Sequence, residues 1–262
     1  MEKRMDKYKG YFIDLDGTMY CGKLKIPAAK RFVEQLQKRK IQFMFVTNNS
    51  TKSPERVVKN LAENFDIHVF PRNVYTTGIA TADYLSELDA TKRSVYVIGE
   101  LDLKKALLER GFVFNEENPD YVVVGLDYDV TYHKFETATL AIKRGAKFIG
   151  TNADTNLPNE RGLVPGAGSL VAMVERATQQ KATYIGKPES IIMDKALKKI
   201  GLTKNDVIMV GDNYMTDISA GINCGLDTLL VYTGVSTPEQ VAQKKIQPTY
   251  EVNSLDEWKF ED

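Results

Sequence analysis

Short apolar runs, each the length of a β-strand, punctuate the whole chain, and segments with helical spacing lie between them. Residues 11–15, 42–46 and 74–76 read as buried strands. Residues 27–40, 54–65 and 79–88 read as helices, the first with Ala29, Phe32, Val33 and Leu36 on one face. Ser53-Pro54 offers an N-cap with proline at the first helical position. A second series follows, with strands at 94–98, 121–125 and 147–149 and helices at 101–110, 132–144 and 168–179. The pattern then resumes with strands at 183–185, 206–210 and 228–232 and helices at 189–200 and 216–224. Strands alternating with helices predict parallel α/β sheets, because a parallel crossover needs a helix-sized connection. The chain has 262 residues. Against a domain of roughly 150 residues, that length suits one large core or a core with a sizeable insertion.

Charge and residue counts narrow the chemistry. Thirty-five basic side chains balance 35 acidic ones, so the basic surplus expected of a nucleic-acid or anionic-membrane binder is missing. Two cysteines, Cys21 and Cys224, cannot build a disulfide framework or a Cys-rich zinc site. Two histidines, His68 and His133, leave little room for a His-ligated metal or a His-based triad. Polar catalysis must therefore run on carboxylates, lysine and hydroxyls. The opening MEKRMDKYKGYFIDLDG has no apolar stretch of the signal-peptide kind, and no apolar run approaches the ~20 residues of a membrane helix. The expected location is the cytoplasm; a homo-oligomer stays open.

Four strand ends carry the chemistry-bearing residues. Residues 11–13 run into Asp14-Leu15-Asp16-Gly17-Thr18, with two carboxylates two residues apart. Side chains alternate along a strand, so the two face one side only if the pleat persists past the strand end. Residues 42–46 run into Thr47-Asn48-Asn49-Ser50, whose hydroxyl, amides and turn N–H groups suit phosphate oxygens. Gly186-Lys187-Pro188-Glu189 places a lysine between a short strand and a helix. Residues 207–210 end in Gly211-Asp212, with Asp217 five residues beyond Asp212, near a helix start where an acid also suits the dipole. Each string alone is an ordinary turn, loop or cap. Together, in this order, they place oxygen ligands without His or Cys at strand ends, a donor set for a hard cation such as Mg²⁺. A carboxylate can act as a nucleophile towards phosphorus, a second can donate and recover a proton, and a cation and lysine can neutralise the transferring group.

The set Asp14–Thr18, Thr47-Asn48-Asn49, Lys187 and Gly211-Asp212 with Asp217 resembles the four motifs of the haloacid dehalogenase superfamily. DLDGTMYCG, VTNNS, VPGAGS before Gly186-Lys187-Pro188, and GDNYMTDI make it similar to the NagD-like phosphatases of subfamily IIA over nearly the whole chain. The resemblance implies a Rossmann-like parallel-sheet core at 1–86 and 182–262, with an inserted α/β class II (C2) cap at 87–181. It implies Asp14 as nucleophile and Asp16 as general acid/base. Thr47, Asn48, Asn49 and Lys187 would hold phosphate. Asp14, Asp212 and the Asp16 carbonyl would bind Mg²⁺, supported by Asp217. Retention of the second Asp matches phosphatases and phosphomutases rather than dehalogenases. The substrate expected is a small phosphorylated metabolite, a sugar phosphate or a nucleoside monophosphate, read in part by the polar stretch 151–161, a loop in this reading. Two rivals remain: a phosphomutase on the same core, and a non-catalytic phospho-ligand binder resembling a receiver module. Gly166-Ala167-Gly168-Ser169 lacks the full nucleotide-loop fingerprint and reads as a helix start.

Overall fold

The computed structural model describes residues 7–159 and 161–260. The chain forms two compact units. Among the described residues, the first comprises those up to Thr47, Pro54–Tyr75, and those from Lys187 on; the second comprises Asn48–Ser53 and Thr76–Gly186.

The first unit is built on a six-stranded sheet. Its order across the sheet is Tyr250–Val252, Asp227–Val231, Val207–Gly211, Gly10–Ile13, Gln42–Thr47 and Val74–Thr76. Gly10–Ile13 lies centrally, parallel to both neighbours, with Phe12 opposite Met209 and Met44. Tyr11, Phe12 and Ile13 are fully buried. A strand covered on both faces reads as continuous apolar sequence, and each such side chain contributes about 1.5–3 kcal/mol. The helix Pro27–Lys38 starts with its proline at N1 and buries Ala28, Ala29, Phe32, Val33 and Leu36. That set repeats every three or four residues, as one helical face must.

The second unit has its own five-stranded sheet, ordered Thr183–Tyr184, Lys147–Gly150, Tyr121–Val124, Ser94–Ile98 and Val113–Phe114, with every pairing parallel. Its core joins Val122, Val124 and Ile98 to Phe135, Ile142, Val171 and Val174 from the helices Tyr132–Lys143 and Ala167–Thr178.

The anticipated α/β alternation is present, but the units divide differently from the expected insertion at 87–181. The second unit starts at Thr76 and ends at Gly186, and it also takes in Asn48–Ser53. Pairing explains the C-terminal difference: Thr183 sits opposite Ile149, so the strand expected to return the chain to the core belongs to the second sheet. At the other end, the helix Thr77–Leu88 packs on Leu101–Leu108 within the second unit. The stretch read as a polar loop, 151–161, is a loop only at its start. Asn156–Asn159 and Gly162–Pro165 form an antiparallel hairpin, with Leu157 opposite Val164. Glu160 lies outside the described residues, as do residues 1–6 of the opening segment read for targeting. The Gly166–Ser169 string does open a helix, Ala167–Thr178. Both histidines are exposed, His68 beside Asp66 and His133 beside Glu136.

Candidate active site

The first unit brings Asp14, Lys187, Asp212 and Asp217 together. Asp14 follows the last residue of its strand, and its N–H still donates to Val210 C=O at 2.9 Å. The neighbouring strand Val207–Gly211 delivers Asp212 directly after its end. Ligands collect at this carboxyl edge of parallel sheets. Asp217 arrives by another route. Tyr214–Ile218 forms a single π turn that runs into the helix Ser219–Cys224. Such wide turns recur at functional sites because they re-aim a side chain.

Lys187 is 2 % exposed and its Nζ lies 2.5 Å from Asp14 Oδ1 and 2.7 Å from Asp217 Oδ1. Asp217 Oδ2 accepts from the Asn213 N–H at 3.1 Å. Asp212 is 1 % exposed. It accepts from Thr18 Oγ1 at 3.0 Å and from the Val235 N–H at 2.8 Å. A Cβ at Gly17 or Gly234 would collide with the Asp212 carboxylate, and one at Gly211 with Asp217. Gly17 also has φ +95°, a region that side chains rarely enter. The glycines of the DG and GD strings are therefore there for close approach.

One oxygen from each of Asp14, Asp212 and Asp217 lies within 4.8 Å of the others. Three carboxylates thus crowd together, and one ammonium pairs with two of them. Burial pushes the Asp14 carboxyl well above its ordinary range, and the charges of Asp217 and Asp212 add to this against the pull of Lys187. Burial, then the Asp217 charge, pushes Asp212 up to about 6, while the Val235 and Thr18 hydrogen bonds and Lys187 oppose the rise. Burial would lower the Lys187 pKa, but the charges of Asp14 and Asp217 outweigh it and hold the lysine above its usual value. An all-oxygen, net-negative pocket fits a hard divalent cation, which supplies the missing positive charge.

The other anticipated residues are placed differently. The Asp16 side chain stands outside the acidic cluster and is exposed, its Oδ1 accepting from the Gly22 N–H at 3.0 Å. The backbone leaves the strand after Ile13, so the pleat does not carry Asp14 and Asp16 onward as one face. Thr47 is buried as the last residue of Gln42–Thr47. Asn48 and Asn49 belong to the second unit. There Asn49 Oδ1 accepts from both the N–H and the Oγ1 of Thr51, each at 2.8 Å, closing a tight turn. Asn48 Nδ2 donates to Asp154 at 3.0 and 3.2 Å. Thr18 and Asp154 lie in stretches that the sequence singles out, but neither receives a role of its own there. Thr18 reads as turn chemistry, and the Asp154 partner lies 106 positions away.

Two family models match the chain. One, described as haloacid dehalogenase-like hydrolase, covers residues 11–113; the other, HAD-hydrolase-like, covers residues 184–258. A 5'-nucleotidase of Bacillus subtilis, YutF, is 48% identical over 254 residues, spanning 97% of this chain and 98% of the relative. An acid sugar phosphatase of Staphylococcus aureus is 50% identical over 254 residues, spanning 97% of each chain. Among solved structures, a thermostable NPPase from Geobacillus stearothermophilus superimposes with a TM-score of 0.91 at 53% identity, covering 97% of this chain and 98% of the other. The chain belongs to the haloacid dehalogenase-like hydrolase family. Within that family it groups with the NagD-like phosphatases: NagD from E. coli K-12 matches with a TM-score of 0.91 at 31% identity, over 96% of this chain and 98% of its own. Among the described residues no helix is long and apolar enough to cross a membrane.

Proposed function

We propose that the chain hydrolyses small phosphate monoesters through an aspartyl-phosphate on Asp14, with Mg²⁺ at the Asp14–Asp212–Asp217 cluster. The observation that carries this reading is Lys187, buried and bonded to both Asp14 and Asp217. A lysine held there orients one Asp14 oxygen and leaves the other for attack on phosphorus. In the first half-reaction Asp14 forms the new P–O bond and the ester P–O bond breaks. Asp16, set apart from the acidic cluster, gives its proton to the departing alkoxide. In the second, Asp16 recovers a proton from water as that water attacks phosphorus, releasing inorganic phosphate and free Asp14. Thr47 and the Asn48 backbone hold phosphate oxygens. Bound Mg²⁺ would supply positive charge against the transferring group, with the Asp16 carbonyl joining the carboxylates around it. The second unit serves as the class II cap.

The relatives named above are a 5'-nucleotidase and an acid sugar phosphatase, so nucleoside 5'-monophosphates and sugar monophosphates are the substrate classes to test first, with a cytoplasmic setting. A phosphate-release screen over such a panel with Mg²⁺ is the direct experiment, with Asp14→Asn as control. Release by the wild type and none by the variant is expected. Near-normal release by Asp14→Asn would remove the mechanism, and isomerised product without free phosphate would indicate a mutase.

A further inference from the structure

Asn48 is held from several sides within the second unit. Its Nδ2 donates to both carboxylate oxygens of Asp154, at 3.2 and 3.0 Å. Its C=O accepts from Thr77 Oγ1 at 2.7 Å. Gly186 leaves it no slack, since a Cβ there would meet Asn48 Oδ1 at 2.5 Å. Asp154 is itself fixed by Asn152, whose Nδ2 donates to Oδ2 at 2.8 Å.

The loop that carries Asp154 is seated by the glycine string Gly166-Ala167-Gly168-Ser169. The Gly168 N–H donates to Asp154 C=O at 2.9 Å and the Gly166 N–H to Thr155 C=O at 2.8 Å. Ser169 Oγ donates to the same Thr155 carbonyl at 2.7 Å. A Cβ at Gly166 would strike the Asp154 carbonyl, and one at Gly168 the Ala153 carbonyl. The two glycines therefore let a helix start press against the backbone at 153–155, which aims the Asp154 side chain.

We propose that Asp154 is a positioning residue for the phosphate-holding peptide at Asn48, and that the Gly166–Ser169 string exists to place it. The proposal rests on the reading that Thr47 and the Asn48 N–H hold phosphate. A residue held at both its side-chain amide and its carbonyl has little freedom left in φ and ψ, so the N–H it carries keeps one direction before substrate arrives. Such preorganisation is worth more than an equal contact formed on binding. A residue of this kind acts on every substrate alike, because the phosphoryl group is their common part.

The test compares wild type, Asp154→Ala, Asp154→Asn and Gly168→Ala with three substrates: p-nitrophenyl phosphate, a hexose phosphate and a nucleoside 5'-monophosphate. Competitive inhibition by inorganic phosphate is measured alongside. Asp154→Ala should raise KM for all three substrates and the phosphate inhibition constant by one common factor, about tenfold, the size of a lost charge-assisted hydrogen bond. Asp154→Asn keeps one acceptor oxygen and should recover about half of that on a logarithmic scale; it also carries the test if the alanine variant does not fold. Gly168→Ala should follow the same pattern. A KM change confined to one substrate with an unchanged phosphate constant would make Asp154 a reader of the leaving group and overturn the proposal. A fall in Tm with neither constant moved would make it a structural brace and overturn it equally. A wild type that neither releases nor binds phosphate would instead remove the phosphatase reading on which the proposal stands.

Discussion

The two units bury carboxylates near the ends of similar parallel sheets, and they balance the charge in opposite ways. In the second unit each acid has its own local donors. Asp127 is paired with Lys134 at 2.9 Å and accepts from the Asp129 N–H at 2.9 Å. Asp102 accepts from the Ser53 N–H at 2.8 Å. In the first unit Asp14 and Asp217 share Lys187, and Asp212 lies within the same cluster of three acids. A buried acid matched one to one is stable as it stands; three acids around one ammonium leave charge that something else must meet. The carboxyl edge of a parallel sheet is thus a permissive place, and the imbalance of charge marks which edge is a site.

Removing the cation should have the largest effect. Exhaustive chelation is expected to reduce phosphate release below detection, and Mg²⁺ to restore it; full activity after chelation would break the contrast between the units. Next comes Lys187→Met. It strands buried carboxylates, so urea unfolding should show a loss of about 3–5 kcal/mol, together with loss of turnover. A variant as stable as wild type would mean that the cluster is not charge-limited.

A smaller effect comes from pH. With the Asp212 carboxyl at about 6 in the folded chain, against an ordinary value of 3.8, the native state keeps a proton that the unfolded chain has already released. Cation-free protein should therefore lose stability as pH rises from about 4 to about 6, and stay at the lower level above that window. The fall should be roughly 2 kcal/mol and absent in Asp212→Asn. Mg²⁺ should in turn raise Tm more at about pH 7.5 than at about pH 5. A flat profile for cation-free wild type would contradict this. The smallest effect is expected from Lys134→Met. Asp127 keeps its backbone donor, so the loss should be about 1 kcal/mol with phosphate release unchanged. A loss matching that of Lys187→Met would erase the difference between the two units.

Much of this was readable in the sequence because it is local. Buried strands such as Tyr121–Val124 announce themselves as apolar runs, and the residue after a strand is fixed once the strand is found. Asp14 and Asp212 are of that kind, and Thr47 closes its own strand. Asp217 is harder: near a helix start it reads equally as a cap, and only the π turn at Tyr214–Ile218 turns it towards Lys187. Pairing between distant segments leaves no trace in periodicity. Thr183–Tyr184 gives no sign that its partner is Lys147–Gly150, so the division between units could not be read at that end. The hairpin at 156–165 was hidden for another reason, since Pro158 and the asparagines around it carry turn chemistry rather than strand chemistry.

Asn48–Ser53 belongs to the second unit although Thr47 and Pro54, on either side, belong to the first. That short excursion has a practical consequence for building chimaeras. Transplanting 76–186 alone from a relative would leave the recipient's own 48–53 facing a foreign Asp154, Asp102 and Thr77, the residues that bind this segment here. A graft that is to keep both units intact has to move two pieces of chain, and the six-residue piece must match its donor as closely as the long one does.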